Sequence, residues 1–190
     1  MASETRSRMV EGAARLLAVH GLEGTSFSEL LELTGAPRGS LYHHFPGGKD
    51  QLVAAAIDLA GSRALAAVDG WTGLGPEQVT EAFLELWRSV LVRSDLRAGC
   101  AVLAVTVASD SPELLAATAE VFRSWRGRLA ALFEAGGLEH PDRFAAALVA
   151  GSEGGVVLSR AEQSMEPFEL VAAELMERAA SAARPAGTAR

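Results

Sequence analysis

The chain has 190 residues, 49% of them hydrophobic and 22% charged, and its 17 basic against 24 acidic side chains give a formal net charge of −7. That apolar share builds a core and excludes disorder of the whole chain, while the length suits one large domain or a small module joined to a larger one. The longest charge-free run, residues 98–109, is well short of the ~20 apolar residues that cross a bilayer, and residues 1–8 have no apolar stretch or cleavage site to direct export, so a cytoplasmic protein with no membrane partner is expected.

Helical spacing runs through almost the whole chain and no useful length alternates apolar with polar residues, so the expected fold class is all-α. Over residues 5–20, Val10, Ala13, Ala14 and Leu17 recur at i, i+3, i+4, i+7, and Gly21 follows as a stop. Ser26-Phe27-Ser28-Glu29 has the spacing of a capping box, after which Phe27, Leu30, Leu31 and Thr34 line one face until Gly35. Pro37 suits the first position of a third helix reaching His44, because a proline there gives up an N–H that has no intrahelical partner. After Pro46-Gly47-Gly48 a longer helix runs through Leu52, Val53, Ala56, Leu59 and Ala60 to about Val68, and a loop over 69–75 follows.

Pro76 opens a helix through Phe83, Leu84 and Trp87. The almost wholly apolar stretch 98–109 predicts a helix buried on all sides, although Val105-Thr106-Val107 taken alone suits a strand. Ser111-Pro112-Glu113 caps a long helix with Leu115, Phe122, Trp125, Leu129, Leu132 and Phe133 on one side, closed by Gly136-Gly137. Two more helices run from Pro141 to about Ser164 and from Pro167 to about Arg184, leaving 185–190 as a disordered tail.

The stretch 27–45 reads as helix, tight turn at Gly35-Ala36-Pro37, helix, an arrangement that holds its second helix proud of the surface where it can enter a DNA major groove. Leu41 and Phe45, four apart, pack inward and leave Arg38, Ser40, Tyr42 and His43 to project, with His44 near the helix end. Arg38 can grip guanine O6 and N7 bidentately, and a hydroxyl or imidazole can bond a phosphate or a base edge. The surrounding charge pulls the other way. Residues 1–50 carry Arg6, Arg8, Arg15, Arg38 and Lys49 against Glu4, Glu11, Glu23, Glu29, Glu32 and Asp50, so DNA affinity has to come from the placement of a few cations and helix N-termini.

Gly24-Thr25-Ser26-Phe27, then Leu30, Gly35 and Gly39-Ser40-Leu41-Tyr42-His43-His44-Phe45-Pro46 followed by Lys49, resemble the DNA-binding domain of the TetR family of transcriptional repressors in order and spacing, over roughly residues 5–52. The run from Tyr42 to Leu52 looks most like the LmrA/YxaF branch, whose members are often linked to multidrug resistance. Glu153-Gly154-Gly155, Leu158-Ser159-Arg160-Ala161 and Glu166-Pro167 are similar to that branch as well. The resemblance implies a helix-turn-helix domain over 1–50, a connecting helix at about 48–68, and a ligand-binding and dimerisation domain over 51–184. It implies that Thr25 or Ser26 binds a backbone phosphate, that Arg38, Gly39, Ser40 and His43 face base edges, and that Tyr42, His44 and Lys49 fix register on the phosphates. Pro37 stands where many relatives have a polar or small residue, and Gly47-Gly48 replaces a more polar pair. The implied function is a homodimeric repressor on a palindromic DNA operator, released by a small-molecule effector.

Beyond the connecting helix, Phe83, Trp87, Leu103, Val107, Phe122 and Trp125 either line an apolar pocket suited to a hydrophobic or planar effector or fill the core. Gly151, Gly154 and Gly155 each cost about 1 kcal/mol inside a helix, which close packing offsets. With Leu158 and the stripe Phe168, Val171, Ala172, Leu175, Met176 and Ala179 they form either a four-helix dimer interface or intramolecular core, and the glycines together with the resemblance favour the dimer. Cys100, the only cysteine, excludes an internal disulfide and reads as a small buried hydrophobe. His140 has no partner at a ligand spacing such as i, i+4, so neither metal nor cofactor is expected. Ala150-Gly151-Ser152-Glu153-Gly154 lacks the first glycine and the preceding strand of a nucleophile elbow, and no acid–base pair stands at local spacing, so an enzyme is not expected. The alternative to a repressor is a small-molecule-binding protein of the same fold without specific DNA binding, motivated by the acidic balance of the first fifty residues.

Overall fold

The computed structural model describes residues 2–182, so the tail expected at 185–190 lies outside the described residues. Those residues form α1 (Ala2–His20), α2 (Phe27–Thr34), α3 (Arg38–His44), α4 (Gly48–Asp69), α5 (Pro76–Arg93), α6 (Ala101–Ala108), α7 (Pro112–Ala135), α8 (Pro141–Glu162) and α9 (Glu166–Ala182), with no strand among them. They pack as two compact units: residues 2–63 with 100–122, and residues 64–99 with 123–182. The functional boundary expected near residue 50 falls inside the first unit.

In the first unit one face of α1 is buried through Met9, Ala13 and Leu17. The fold places a glycine where α2 crosses it, because a Cβ at Gly12 would lie 2.7 Å from Thr34 Cγ2 and 3.0 Å from Leu30 Cδ1. Leu30, Leu41, Phe45, Leu52, Val53, Ala56 and Ile57 fill the space between α1 and the next three helices. Pro37 is not the first helical residue. Its ψ of 138° is extended, so it takes the N-cap position and the helix begins at Arg38.

The apolar stretch 98–109 does form a helix, α6, but not one buried on all sides: Val102 and Val105 are fully buried whereas Val107 is 76% exposed. On α7 the buried leucine at the start is Leu114, with Leu115 exposed. α4 is the one described helix long and apolar enough, by length and composition alone, to cross a membrane. The longest charge-free run missed it because Asp58 and Arg63 interrupt it. Leu52, Val53, Ala56 and Ile57 of that helix are core residues of the unit, and Arg63 pairs with Glu11 at 2.7 Å.

The second unit is built on the packing of α9 against α8 and α5. Phe168, Ala172, Leu175 and Ala179 form the buried stripe of α9 and Phe144, Leu148, Val149 and Val156 that of α8. Phe133 meets Phe144 edge to face at 5.0 Å. At the edge of this core the Arg88 guanidinium donates to both oxygens of Glu169, at 2.8 and 3.0 Å, and to Glu85 at 2.7 Å, pinning α5 to α9. The hydrogen bonds from Arg88 hold the Glu169 carboxyl below the usual glutamate value.

Candidate nucleic-acid interface

The chain leaves α1 through Gly21, whose φ of 72° is left-handed, into a turn closed by three hydrogen bonds. The Thr25 hydroxyl donates to the Gly21 carbonyl at 2.7 Å, and the Leu22 carbonyl accepts both the Thr25 N–H, at 3.3 Å, and the Lys49 ammonium, at 2.7 Å. Ser26 then begins α2 with both halves of the expected capping box. Its hydroxyl oxygen accepts from the Glu29 N–H at 3.2 Å, and the Glu29 carboxylate accepts from the Ser26 N–H at 2.9 Å. The backbone and side-chain hydrogen bonds from Ser26, with smaller contributions from the charges of His20 and Lys49, hold the Glu29 carboxyl below its ordinary value. At the other end Gly35, at φ 64°, donates to the Leu31 carbonyl and turns the chain toward α3.

On α3 and its C-cap, Leu41 and Phe45 are buried, and Arg38, Gly39, Tyr42 and His43 are exposed, as the four-residue spacing predicts. Ser40 and His44 are half-buried on the same short helix. Three contacts brace this surface. The exposed Tyr42 ring meets Phe27 edge to face at 6.2 Å, which ties α3 to the start of α2. The His43 and His44 rings lie 5.1 Å apart, and the Arg6 guanidinium stacks over the Phe45 ring at 5.3 Å. The braces through Phe27 and Arg6 were not read from the sequence. Phe27 was visible only as part of a stripe, and Arg6 lies too far along the chain for local spacing to link it to Phe45.

Two of the expected phosphate ligands stand elsewhere. Thr25 is 2% exposed and its hydroxyl proton goes to Gly21, so its side chain belongs to the turn; Ser26, half-buried at the N-terminus of α2, is the one placed near the surface. Lys49 is half-buried and directs its ammonium at Leu22.

The six residues expected around an effector are not gathered within either unit. Phe83, Trp87 and Trp125 belong to the second, and Leu103, Val107 and Phe122 to the first. Phe83 and Trp125 are core, Trp87 meets Trp125 edge to face at 6.5 Å, and Val107 lies in the open. None of the six lines a groove of about 530 Å³ in the second unit, which is walled by Leu138, Phe144, Arg143, Arg178, Glu174 and Glu177 among others.

Of the residues expected between two copies, most are spent inside one chain. A Cβ on Gly151 would lie 3.2 Å from Leu175 and 3.3 Å from Val171, and one on Gly155 would lie 3.2 Å from the Phe168 ring, so these glycines bring α8 onto α9. Phe168, Ala172 and Leu175 are buried in that contact, while Val171 and Met176 are half-buried. Gly154 and Leu158 are exposed, with Ala150, Val157 and Ala161 along the same outer side of α8.

Residues 9–56 match the bacterial regulatory proteins of the tetR family, and residues 76–174 match the LmrA/YxaF-like transcriptional regulator C-terminal domain. A transcriptional regulator of the helix-turn-helix type from Mycobacterium tuberculosis is 36% identical over 180 residues, 90% of this chain and 91% of that one. The transcriptional repressor AcnR of Corynebacterium glutamicum is 44% identical over 50 residues, 26% of each chain. The crystal structure of a TetR transcriptional regulator from Chloroflexus aurantiacus is similar at a TM-score of 0.78 and 30% identity, covering 93% of this chain and 94% of that one. With both halves matched in order and a relative of this identity along nearly its whole length, the chain belongs to the TetR family of transcriptional regulators and carries a C-terminal domain of the LmrA/YxaF type.

Proposed function

We propose that the chain is a ligand-responsive repressor that binds a palindromic operator as a homodimer and is released by a small hydrophobic or aromatic effector. The observation that carries this reading is α3, which with its C-cap buries Leu41 and Phe45 and turns Arg38, Gly39, Tyr42 and His43 outward on a helix, an element whose width a major groove admits. Repression is supported by the likeness of a 50-residue stretch of the chain to a named repressor. A two-fold dimer reads two half-sites about 34 Å apart, which makes the operator a palindrome.

In this reading residues 1–50 bind DNA, α4 is the connection, and residues 51–184 bind the effector and dimerise. Ser26 binds a phosphate at the N-terminus of α2, Arg38, Gly39, Ser40 and His43 face base edges, and Tyr42 and His44 hold the register. The dimer forms on the exposed apolar side of α8, along Ala150, Gly154, Val157, Leu158 and Ala161, joined by Leu170 of α9. The half-buried Trp87, backed edge to face by the buried Trp125, is the aromatic side chain offered to the effector. The protein acts by binding, without a cofactor, in the cytoplasm where its DNA lies.

The test is selection of bound duplexes from a random pool by the purified protein at a fixed, stated salt concentration. An enriched palindrome is the expected result and supplies the probe for an effector screen. A folded dimer that enriches nothing across a range of low salt replaces this reading with a small-molecule-binding protein that does not read DNA, the alternative favoured by the excess of acidic over basic side chains in residues 1–50.

A further inference from the structure

Lys49 is the only lysine in the chain, every other one of its 17 basic side chains being arginine. It stands in the first turn of α4, just after the helix that presents Arg38 and Tyr42. Its ammonium reaches back across 27 residues to the Leu22 carbonyl, at 2.7 Å, in a half-buried position. That carbonyl also accepts the Thr25 N–H, so Lys49 and Thr25 together close the turn between α1 and α2. The next residue, Ser26, starts the capping box, and α2 in turn carries α3 through the left-handed Gly35. The direction in which α3 is offered therefore depends on the conformation of residues 21–25. A compact ammonium on a flexible stem suits a single carbonyl in a half-buried seat, whereas a guanidinium brings a planar fork of five donors. This gives a reason for a lysine here that does not involve DNA.

We propose that Lys49 acts on DNA binding as a positioning residue, closing the turn that aims α2 and α3, and not as a phosphate contact. The proposal rests on α3 being the DNA-reading helix. It separates two roles that an alanine substitution alone confuses, since either loss weakens binding to every sequence.

The experiment uses the full chain with Lys49→Met and Lys49→Arg, and two readouts: hydrogen exchange of the Thr25 amide and its neighbours, and affinity for the selected duplex as a function of salt. In Lys49→Met the Thr25 amide should lose protection and affinity should fall roughly tenfold, the scale of one hydrogen bond to a charged group. The slope of affinity against salt should stay that of the wild type. In Lys49→Arg, which keeps the charge, the fall in affinity should follow the loss of protection. Wild-type protection at Thr25 in Lys49→Met overturns the proposal. So does an intact turn accompanied by a salt slope smaller by about 0.9 per subunit, the signature of a lost phosphate contact. A wild type that enriches no duplex overturns the DNA reading and this proposal with it, while exchange that still responds to Lys49 shows separately that the tie to Leu22 holds the turn.

Discussion

Arg38 stands exposed in the first turn of α3 beside Gly39, and no atom lies within 4 Å of where a Gly39 Cβ would sit. Neither packing nor a left-handed backbone requires glycine there, which leaves the space beside Arg38 open to a duplex. Arg38→Ala is expected to cost ~1–3 kcal/mol per half-site and to relax specificity at one base pair. Competition between the selected duplex and its single-substitution series checks this, and an equal loss for every duplex would assign Arg38 to a phosphate. The exposure of Arg38, Tyr42 and His43 was legible because Leu41 and Phe45 stand one helical turn apart and must share the buried side. The fate of the Thr25 hydroxyl was not. A threonine before a helix can bond a phosphate or a carbonyl four residues back; here the chain turns left-handed at Gly21, and its carbonyl takes the Thr25 hydroxyl at 2.7 Å.

At the scale of elements, the glycines of α8 show how far a pattern reaches. Three glycines within five residues announce a close approach, but they do not say which helix approaches: α9 of the same chain packs at Gly151 and Gly155, while Gly154 faces outward. The three should therefore respond differently to substitution. Gly155→Val meets the buried Phe168 and is expected to lower the urea midpoint by the equivalent of about 1–3 kcal/mol. Gly154→Ala meets nothing and should leave the fold at least as stable, yet weaken self-association if the outer side of α8 packs against its copy, which sedimentation at falling concentration would read. The α5–α9 contact adds a pH dependence. Glu169 is held below its ordinary value by Arg88, so its contribution is present at neutral pH and disappears as pH falls through the usual glutamate range, about 4 to 5, and below. Glu169 is 46% exposed, which limits the effect to no more than about 1 kcal/mol. Melting temperatures of the wild type and Glu169→Gln should differ at pH 7 and converge by pH 3.

For the whole molecule, an all-α chain opening with a helix-turn-helix was readable because caps, stops and periodicity agree at nearly every boundary. The effector residues were not. Composition selects aromatic and aliphatic side chains without saying whether they are core, and the six selected here divide evenly between two units that interleave along the chain. Charge is the property on which the whole molecule makes its sharpest statement. The first fifty residues are slightly acidic, and with Lys49 committed to Leu22 the exposed cations there are Arg6, Arg8, Arg15 and Arg38. Even if each found a phosphate, a dimer would neutralise eight, for a slope of log affinity against log salt of about −7. Arg38 on a base edge and Arg6 stacked over Phe45 bring the expected magnitude below that. Titration of the selected duplex between roughly 50 and 200 mM salt, the range over which such slopes are resolved, measures it directly. A slope steeper than about −7 would mean either that Lys49 leaves Leu22 for a phosphate, which a smaller slope in Lys49→Met reveals, or that cations beyond residue 50 reach the DNA, and only the second would end the confinement of DNA binding to residues 1–50.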